Sequence, residues 1–222
     1  LTLPRKPLAV VFDLDGTLID CEGLVWGAHF AACDKLGYAM SDAQFLSLVG
    51  LHREANDAQL KGFYGQDFPL EDFIAATRAH VGDRVAPLKA GAVELMNALD
   101  EMALPYGLAT SSRRPWVERH FAAHGLSDRF HAIVTRLDCA EGKPHPEPYL
   151  KAAATLGFEP THVLALEDSH AGVRSAHAAG CMTVMVPDLL PANDEMRTKA
   201  LQVAKSMHDV IDLIGARIVP VA

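Results

Sequence analysis

Two aspartates separated by one residue directly follow a short apolar segment near the start of the chain. The segment spans residues 8–12, and the sequence continues Asp13-Leu-Asp15-Gly16-Thr. A carboxylate can attack phosphorus as a nucleophile, while a second carboxyl group protonates the leaving oxygen and later deprotonates water. Because Asp and Gly are also common in solvated turns, such a pair alone is not evidence of catalysis. It needs partners elsewhere in the chain.

Polar residues that could act as those partners follow three further apolar segments, at 106–109, 131–135 and 163–166. The first is followed by a hydroxyl-rich turn whose backbone N–H groups suit a phosphate, the second by a single lysine before a proline, and the third by an acidic pair. The residues concerned are Thr110, Ser111, Ser112, Lys143, Glu167 and Asp168. A lysine would hold nucleophile and phosphate together as a point charge.

The apolar segments that precede these residues predict strands buried on both faces of a parallel sheet. A fifth segment of this kind spans residues 182–186, and helical spacing separates the segments from about residue 88 onward. The alternation predicts an α/β fold with a doubly wound parallel sheet. Because such sheets bind ligands at the carboxyl ends of their strands, we expect the polar turns to share one rim.

Residues from about 20 to 85 interrupt the alternation, because they contain only helical or loop patterns between the first and second predicted strands. They predict a helical insertion. The expected organisation is therefore a catalytic core of residues 1–19 and 86–222 and a small helical domain of residues 20–85.

Magnesium would explain why so many acids surround an anionic substrate, because a hard divalent ion needs oxygen ligands and offsets charge repulsion. The candidate side-chain ligands are Asp13, Glu167 and Asp168, with a backbone carbonyl near Asp15 as another. Phosphoryl transfer depends mostly on positioning and charge neutralisation, which this set of residues can supply.

The four motifs, in this order, resemble those of the haloacid dehalogenase superfamily. Asp13-Leu-Asp15-Gly16-Thr is similar to its first motif, Thr110 to its second, Lys143 to its third and Glu167-Asp168 to its fourth. The resemblance implies a Rossmann-like core with a small helical cap. It also implies roles: Asp13 as nucleophile, Asp15 as general acid and base, Thr110 and Lys143 as phosphate contacts, and the acidic pair as a magnesium site.

Within the superfamily, the segments 143–148 and 166–173 look most like β-phosphoglucomutase and the sugar-phosphate phosphatases. The mutases carry a histidine a few residues after the first motif, where this chain has Val25, and this favours hydrolysis. The expected function is magnesium-dependent hydrolysis of a small phosphorylated metabolite such as a sugar phosphate. A sugar phosphomutase and a catalytically silent phosphometabolite-binding protein are the alternatives.

Five residues are further candidates for contacts with the substrate. Gly16, Ser111 and Ser112 belong to the motif turns described above, whereas Arg53 and Glu22 lie in the helical insertion. A guanidinium at Arg53 would suit a polyol or a second anion. For Arg53 an ordinary surface arginine is an equally good interpretation, whereas for Glu22 the surface interpretation is favoured.

Composition limits the remaining choices. A formal net charge of -8 argues against a large basic surface for nucleic acid or anionic lipid. The four cysteines are scattered along the sequence, and we interpret them as reduced thiols. No apolar run is long enough for a membrane span. We therefore expect a cytoplasmic protein with no nucleic-acid or membrane partner, as a monomer or a weak homodimer.

Overall fold

The computed structural model describes residues 3–49 and 53–215, except for the side chain of Arg53. Within these residues the chain forms a six-stranded sheet with the order β3-β2-β1-β4-β5-β6, in which every neighbouring pair is parallel. The strands are β1 (Ala9–Phe12), β2 (Tyr106–Ala109), β3 (Ala132–Val134), β4 (Val163–Glu167), β5 (Met182–Met185) and β6 (Gln202–Val203).

Helices connect these strands as the sequence pattern predicts, so the Rossmann-like α/β fold is confirmed. The helices are α1 (Glu22–Lys35), α2 (Asp42–Leu48), α3 (Arg53–Tyr64), α4 (Leu70–Val81), α5 (Ala92–Glu101), α6 (Arg114–His124), α7 (Glu147–Leu156), α8 (His170–Ala178), α9 (Asp194–Lys199) and α10 (Met207–Gly215). Two short 3-10 helices span Arg136–Asp138 and Pro160–His162.

The strands β1, β2, β4 and β5 are buried on both faces because nearly all of their residues are apolar. On one face, small residues such as Ala9 and Val11 pack with Ala152 of α7 and Ala176 of α8. On the other face, Phe12 makes an edge contact with Tyr106, the ring centroids lying 6.0 Å apart. Parallel strands covered on both sides read as continuous apolar runs, which explains why the sequence pattern identified them.

The chain divides into two compact units. One comprises residues 1–20 and 87–222 and contains the sheet, while the other comprises residues 21–86 and contains the four helices α1 to α4. In the helical unit, α1 packs on α4, and a capping box formed by Ser41 and Gln44 starts α2. None of the described helices is both long and apolar enough to cross a membrane.

Strand register determines which residues meet at the carboxyl edge of the sheet. Phe12 is level with Leu108 of β2 and with Leu166 of β4. The next residue of β4 is Glu167, so Asp13 and Glu167 leave the sheet side by side. The central position of β1 thus places its two aspartates between the polar ends of two other strands.

Candidate active site

Asp13 begins the loop that follows β1 and is held in place through its backbone. Its N–H donates to the carbonyl of Leu166 at 2.9 Å, and only 7% of the residue is exposed. The loop then turns at Gly16, whose φ of +84° is the left-handed conformation that glycine adopts without strain. A side chain at this position would also overlap the carboxylate of Asp168.

Lys143 joins the first and fourth motifs. Its Nζ donates to Asp13 Oδ1 at 2.5 Å and also to Oε1 of Glu167, and the side chain is only 4% exposed. Burial alone would favour the neutral amine, but the two carboxylates raise the pKa of Lys143 above its ordinary value. The ammonium therefore stays charged and holds two acids at a fixed separation.

Glu167 is fully buried, and four donors fix its carboxylate. Besides Lys143, the Tyr149 hydroxyl donates to Oε1 at 2.7 Å, and the backbone N–H and hydroxyl of Ser169 donate to Oε2 at 3.3 and 3.1 Å. Sequence reasoning missed Tyr149 and Ser169. Tyr149 lies in α7 and Ser169 at the start of α8, each within ten residues of a predicted motif residue. No spacing rule identified their contacts with Glu167.

Gly172 lies in the first turn of α8. At this position the Glu167 carboxyl group occupies the space that a side chain would need. A Cβ built at Gly172 would overlap that carboxyl group. The sequence offered no reason for a glycine at this helical position, where alanine is intrinsically favoured. The structure supplies the reason: close approach of the helix backbone to a buried acid.

We expect Gly172→Ala to destabilise the protein by about 3 kcal/mol and to reduce its activity, because the added methyl group displaces Glu167. Gly62→Ala is the matched control, since Gly62 is also helical and, apart from its own helix backbone, no atom of the described residues lies within 4 Å of its Cβ position. That change should stabilise slightly, by about 0.5 kcal/mol. Thermal unfolding of both variants measures the difference, and equal stability would contradict the steric argument.

Asp168 completes a cluster of three carboxylates that could hold a metal ion. One oxygen from each of Asp13, Glu167 and Asp168 lies within 4.8 Å of the other two. The hydroxyl of Thr17 donates to Asp168 Oδ1 at 3.1 Å and orients it. An all-oxygen set of acids is the ligand chemistry of a hard divalent cation.

Electrostatics agrees with a cation at this cluster. Burial raises the pKa of Asp13 to about 7. The Lys143 ammonium opposes this shift, and the charges of Glu167 and Asp15 add to it. Burial and the neighbouring carboxylates raise the pKa of Asp168 well above its ordinary value. One lysine does not balance this many buried acids, so a bound cation would stabilise the arrangement. The residues present therefore fit a divalent metal ion.

Asp15 is held apart from the carboxylate cluster by two donors. Ser112 Oγ donates to its Oδ2 at 2.5 Å, and Trp116 Nε1 donates to its Oδ1 at 2.8 Å. Thr110, at the end of β2, is 2% exposed, and its hydroxyl accepts the N–H of Ser112 at 2.9 Å. The structure thus brings the second motif beside the first.

Three candidate substrate contacts remain less defined. Ser111 is exposed on the turn between Thr110 and Ser112. Glu22 is exposed in the first turn of α1, in the helical unit. The side chain of Arg53 lies outside the part of the chain that the structure describes. Substrate binding by any of the three stays a prediction.

The comparisons with known proteins identify the class. A family model described as haloacid dehalogenase-like hydrolase matches residues 10–186, so the chain belongs to that family. The predicted membership of the haloacid dehalogenase superfamily is thereby confirmed, and the chain is a hydrolase of that superfamily.

Individual relatives extend over most of the chain. It is 31% identical over 225 residues to hexitol phosphatase B of Escherichia coli O157:H7, covering 97% of this chain and 100% of the relative. It is 31% identical over 176 residues to validoxylamine A 7'-phosphate phosphatase of Streptomyces hygroscopicus, covering 78% and 83%. The β-phosphoglucomutase structure from Clostridium difficile shares the fold with a TM-score of 0.73, at 23% identity over 94% of this chain and 97% of that one.

Proposed function

We propose that the chain is a magnesium-dependent phosphatase that hydrolyses a small phosphorylated metabolite, with Asp13 carrying the phosphoryl group between two steps. The observation that carries the proposal is the separation of two kinds of acid. Asp13 lies in the cluster with Lys143 and Glu167, while Asp15 is held outside it by Ser112 and Trp116. In this proposal one acid acts as the nucleophile and the other as the proton carrier.

In the first step, a carboxylate oxygen of Asp13 forms a bond to phosphorus as the bond from phosphorus to the ester oxygen breaks. Protonated Asp15 gives its proton to that departing oxygen, and the alcohol leaves. In the second step, Asp15 accepts a proton from water while the water oxygen bonds to phosphorus. The bond from phosphorus to Asp13 then breaks, which releases inorganic phosphate and restores both side chains.

Other residues hold the phosphoryl group during both steps. Lys143 offers positive charge beside the attacking oxygen, and the Thr110 hydroxyl remains able to donate because its hydrogen bond from Ser112 uses only a lone pair. The N–H groups of Ser112 and Gly16 are already used, by the Thr110 hydroxyl and the Ile19 carbonyl. The backbone N–H of Ser111 adds a donor to those of Lys143 and Thr110. These contacts lower the barrier by neutralising phosphoryl oxygens.

The side chains of Asp13, Glu167 and Asp168, together with the backbone carbonyl of Asp15, would hold Mg²⁺. The ion supplies positive charge that offsets the repulsion between phosphate and carboxylate. The surrounding residues perform the remaining tasks of orienting Asp13 and carrying the proton.

Magnesium is expected to raise the unfolding temperature more at about pH 7.5 than at about pH 5. The pKa of Asp13 is about 7 in the folded protein and 3.8 ordinarily. The metal-free fold therefore loses stability as the pH rises from the lower of these pKa values to the higher. At the higher pH the carboxylate is free for the ion, whereas at the lower pH a proton competes with it. Scanning fluorimetry with and without Mg²⁺ measures the difference.

Asp168→Asn is the control for the metal experiment, because the variant should stay folded and lose most of the magnesium-dependent rise. Chelation of divalent ions should also abolish phosphate release, and restoring Mg²⁺ should recover it. An unfolding temperature that Mg²⁺ does not change at either pH would contradict the proposed metal site.

The substrate class rests on different support. Hexitol phosphatase B, which is similar to this chain over its whole length, is named for action on a sugar alcohol phosphate. We propose a sugar or polyol phosphate as the substrate here and the helical unit of residues 21–86 as the cap that selects it. A cap that closes would exclude bulk water from the reaction.

The test is release of inorganic phosphate with Mg²⁺ from a panel of sugar phosphates, polyol phosphates, phosphoglycolate and nucleotides, with Asp13→Asn as the blank. The proposal expects release from at least one sugar or polyol phosphate. β-Glucose 1-phosphate belongs in the panel because conversion to an isomeric ester without free phosphate would identify a mutase instead. Phosphate binding without turnover of any ester would identify a binding protein.

A further inference from the structure

Trp116 contacts the carboxylate of Asp15 although no motif includes it. Its indole Nε1 donates to Oδ1 at 2.8 Å, while Ser112 donates to Oδ2 at 2.5 Å. The two donors approach different oxygens, so together they fix the rotation of the carboxyl group as well as its position. A single donor would leave that rotation free.

The indole is itself immobilised by the helix that carries it. Trp116 is the third residue of α6, and side chains of a first helical turn point back toward the helix N-terminus. Its ring lies against the ring of His120, with centroids 4.0 Å apart, and His120 is fully buried. The His120 ring also bonds the Trp116 carbonyl at 2.9 Å. The donor to Asp15 is therefore a rigid group.

We propose that Trp116 is a positioning residue that orients Asp15 for proton transfer to the leaving oxygen. The indole N–H can donate but cannot accept, and it does not ionise, so it holds Oδ1 without competing for the proton. The Ser112 hydroxyl at Oδ2, in contrast, can either donate or accept. This inference rests on the proposed phosphatase function.

The test compares Trp116→Phe with the unaltered enzyme on two kinds of ester. Protonation of the leaving oxygen matters for an alkyl phosphate and matters little for p-nitrophenyl phosphate, whose leaving group is a weak base. We expect kcat/KM for the alkyl ester to fall about 10-fold and that for the aryl ester to fall less than about 3-fold. kcat/KM is the proper quantity because it reports the step in which the ester oxygen departs.

Trp26→Phe is the matched control, because Trp26 Nε1 donates to Asp42 at 3.1 Å in the helical unit, the same contact in a different place. It should leave the ratio of the two kcat/KM values unchanged. If Trp116→Phe lowers kcat/KM equally for both esters, or for neither of them, the proposed role is wrong. If the unaltered protein hydrolyses neither of these esters nor any sugar or polyol phosphate of the panel, the proposed function fails and this inference fails with it.

A second measurement does not depend on the folding of Trp116→Phe. The chain has 2 tryptophans, so its spectrum of ¹⁵N-bound indole protons has two signals, which Trp26→Phe assigns. Asp15→Ala should shift the Trp116 signal, because the indole loses a charged acceptor, and leave the Trp26 signal in place. An unchanged Trp116 signal would show that the contact is absent and would overturn the proposal.

Discussion

Asp13→Asn is expected to lower kcat by about 10⁴-fold or more while leaving the fold intact, because an amide oxygen is too weak a nucleophile to attack phosphorus. Asparagine keeps the size of aspartate, and its oxygen can still accept the hydrogen bond from Lys143. Release of phosphate from the best substrate of the panel measures the loss.

Stability provides an independent part of the same prediction. Because the pKa of Asp13 is about 7 in the folded chain and 3.8 ordinarily, its ionisation opposes folding as pH rises through that interval. Without metal at neutral pH, Asp13→Asn should therefore unfold at a higher temperature than the unaltered protein. Asp128→Asn, at an exposed position, should change neither activity nor unfolding.

An Asp13→Asn variant that keeps more than a tenth of the activity would contradict the nucleophile assignment. Slow deamidation of the asparagine could mimic such activity, so mass spectrometry of the purified variant must accompany the assay. An inactive variant that also unfolds more readily than the parent would instead mean that the carboxylate serves the fold.

The sheet was largely predictable because its strands are buried on both faces and therefore read as apolar runs. All five predicted strands are present, each within one residue of its expected bounds. The sixth, Gln202–Val203, has two half-buried residues at the sheet edge, too few for a pattern. Gly125 and Gly157 end α6 and α7 in left-handed C-cap conformations, a position where glycine is common.

The motif residues were predictable for a related reason. A parallel sheet collects the carboxyl ends of its strands on one rim, so polar residues after different strands must meet. Asp13, Lys143 and Glu167 meet in this way, in direct contact. The prediction needed only the order of the elements.

The residues that support this site could not be found in that way. Trp116 and Tyr149 lie inside helices, where an aromatic residue ordinarily indicates core packing. Their polar atoms reach Asp15 and Glu167, which are 101 and 18 residues away in the sequence, through side-chain directions that no spacing rule gives. The need for Gly172 arises from the same kind of contact. Supporting contacts of this type depend on three-dimensional packing.

Lys143→Met is expected to reduce kcat/KM by about 10³-fold, because it removes the ammonium that joins Asp13 to Glu167 and would face the phosphate. Without this charge, burial and the neighbouring acids raise the pKa of Asp13 above about 7, so at neutral pH the nucleophile holds a proton. Part of the lost activity should therefore return as the pH is raised. The pH dependence of kcat/KM measures this recovery.

Removing one partner of a buried ion pair ordinarily lowers the free energy of unfolding by about 3 kcal/mol or more. We expect Lys143→Met to lower it by less. Uptake of a proton by Asp13 relieves part of the uncompensated charge, and methionine fills the space of the lysine stem. Lys151→Met is the control, because Lys151 pairs with Glu147 at 2.6 Å on an exposed helix face and should change neither property. Full activity of Lys143→Met at neutral pH would contradict this role of Lys143. The metal ion alone would then have to neutralise the acids of the site.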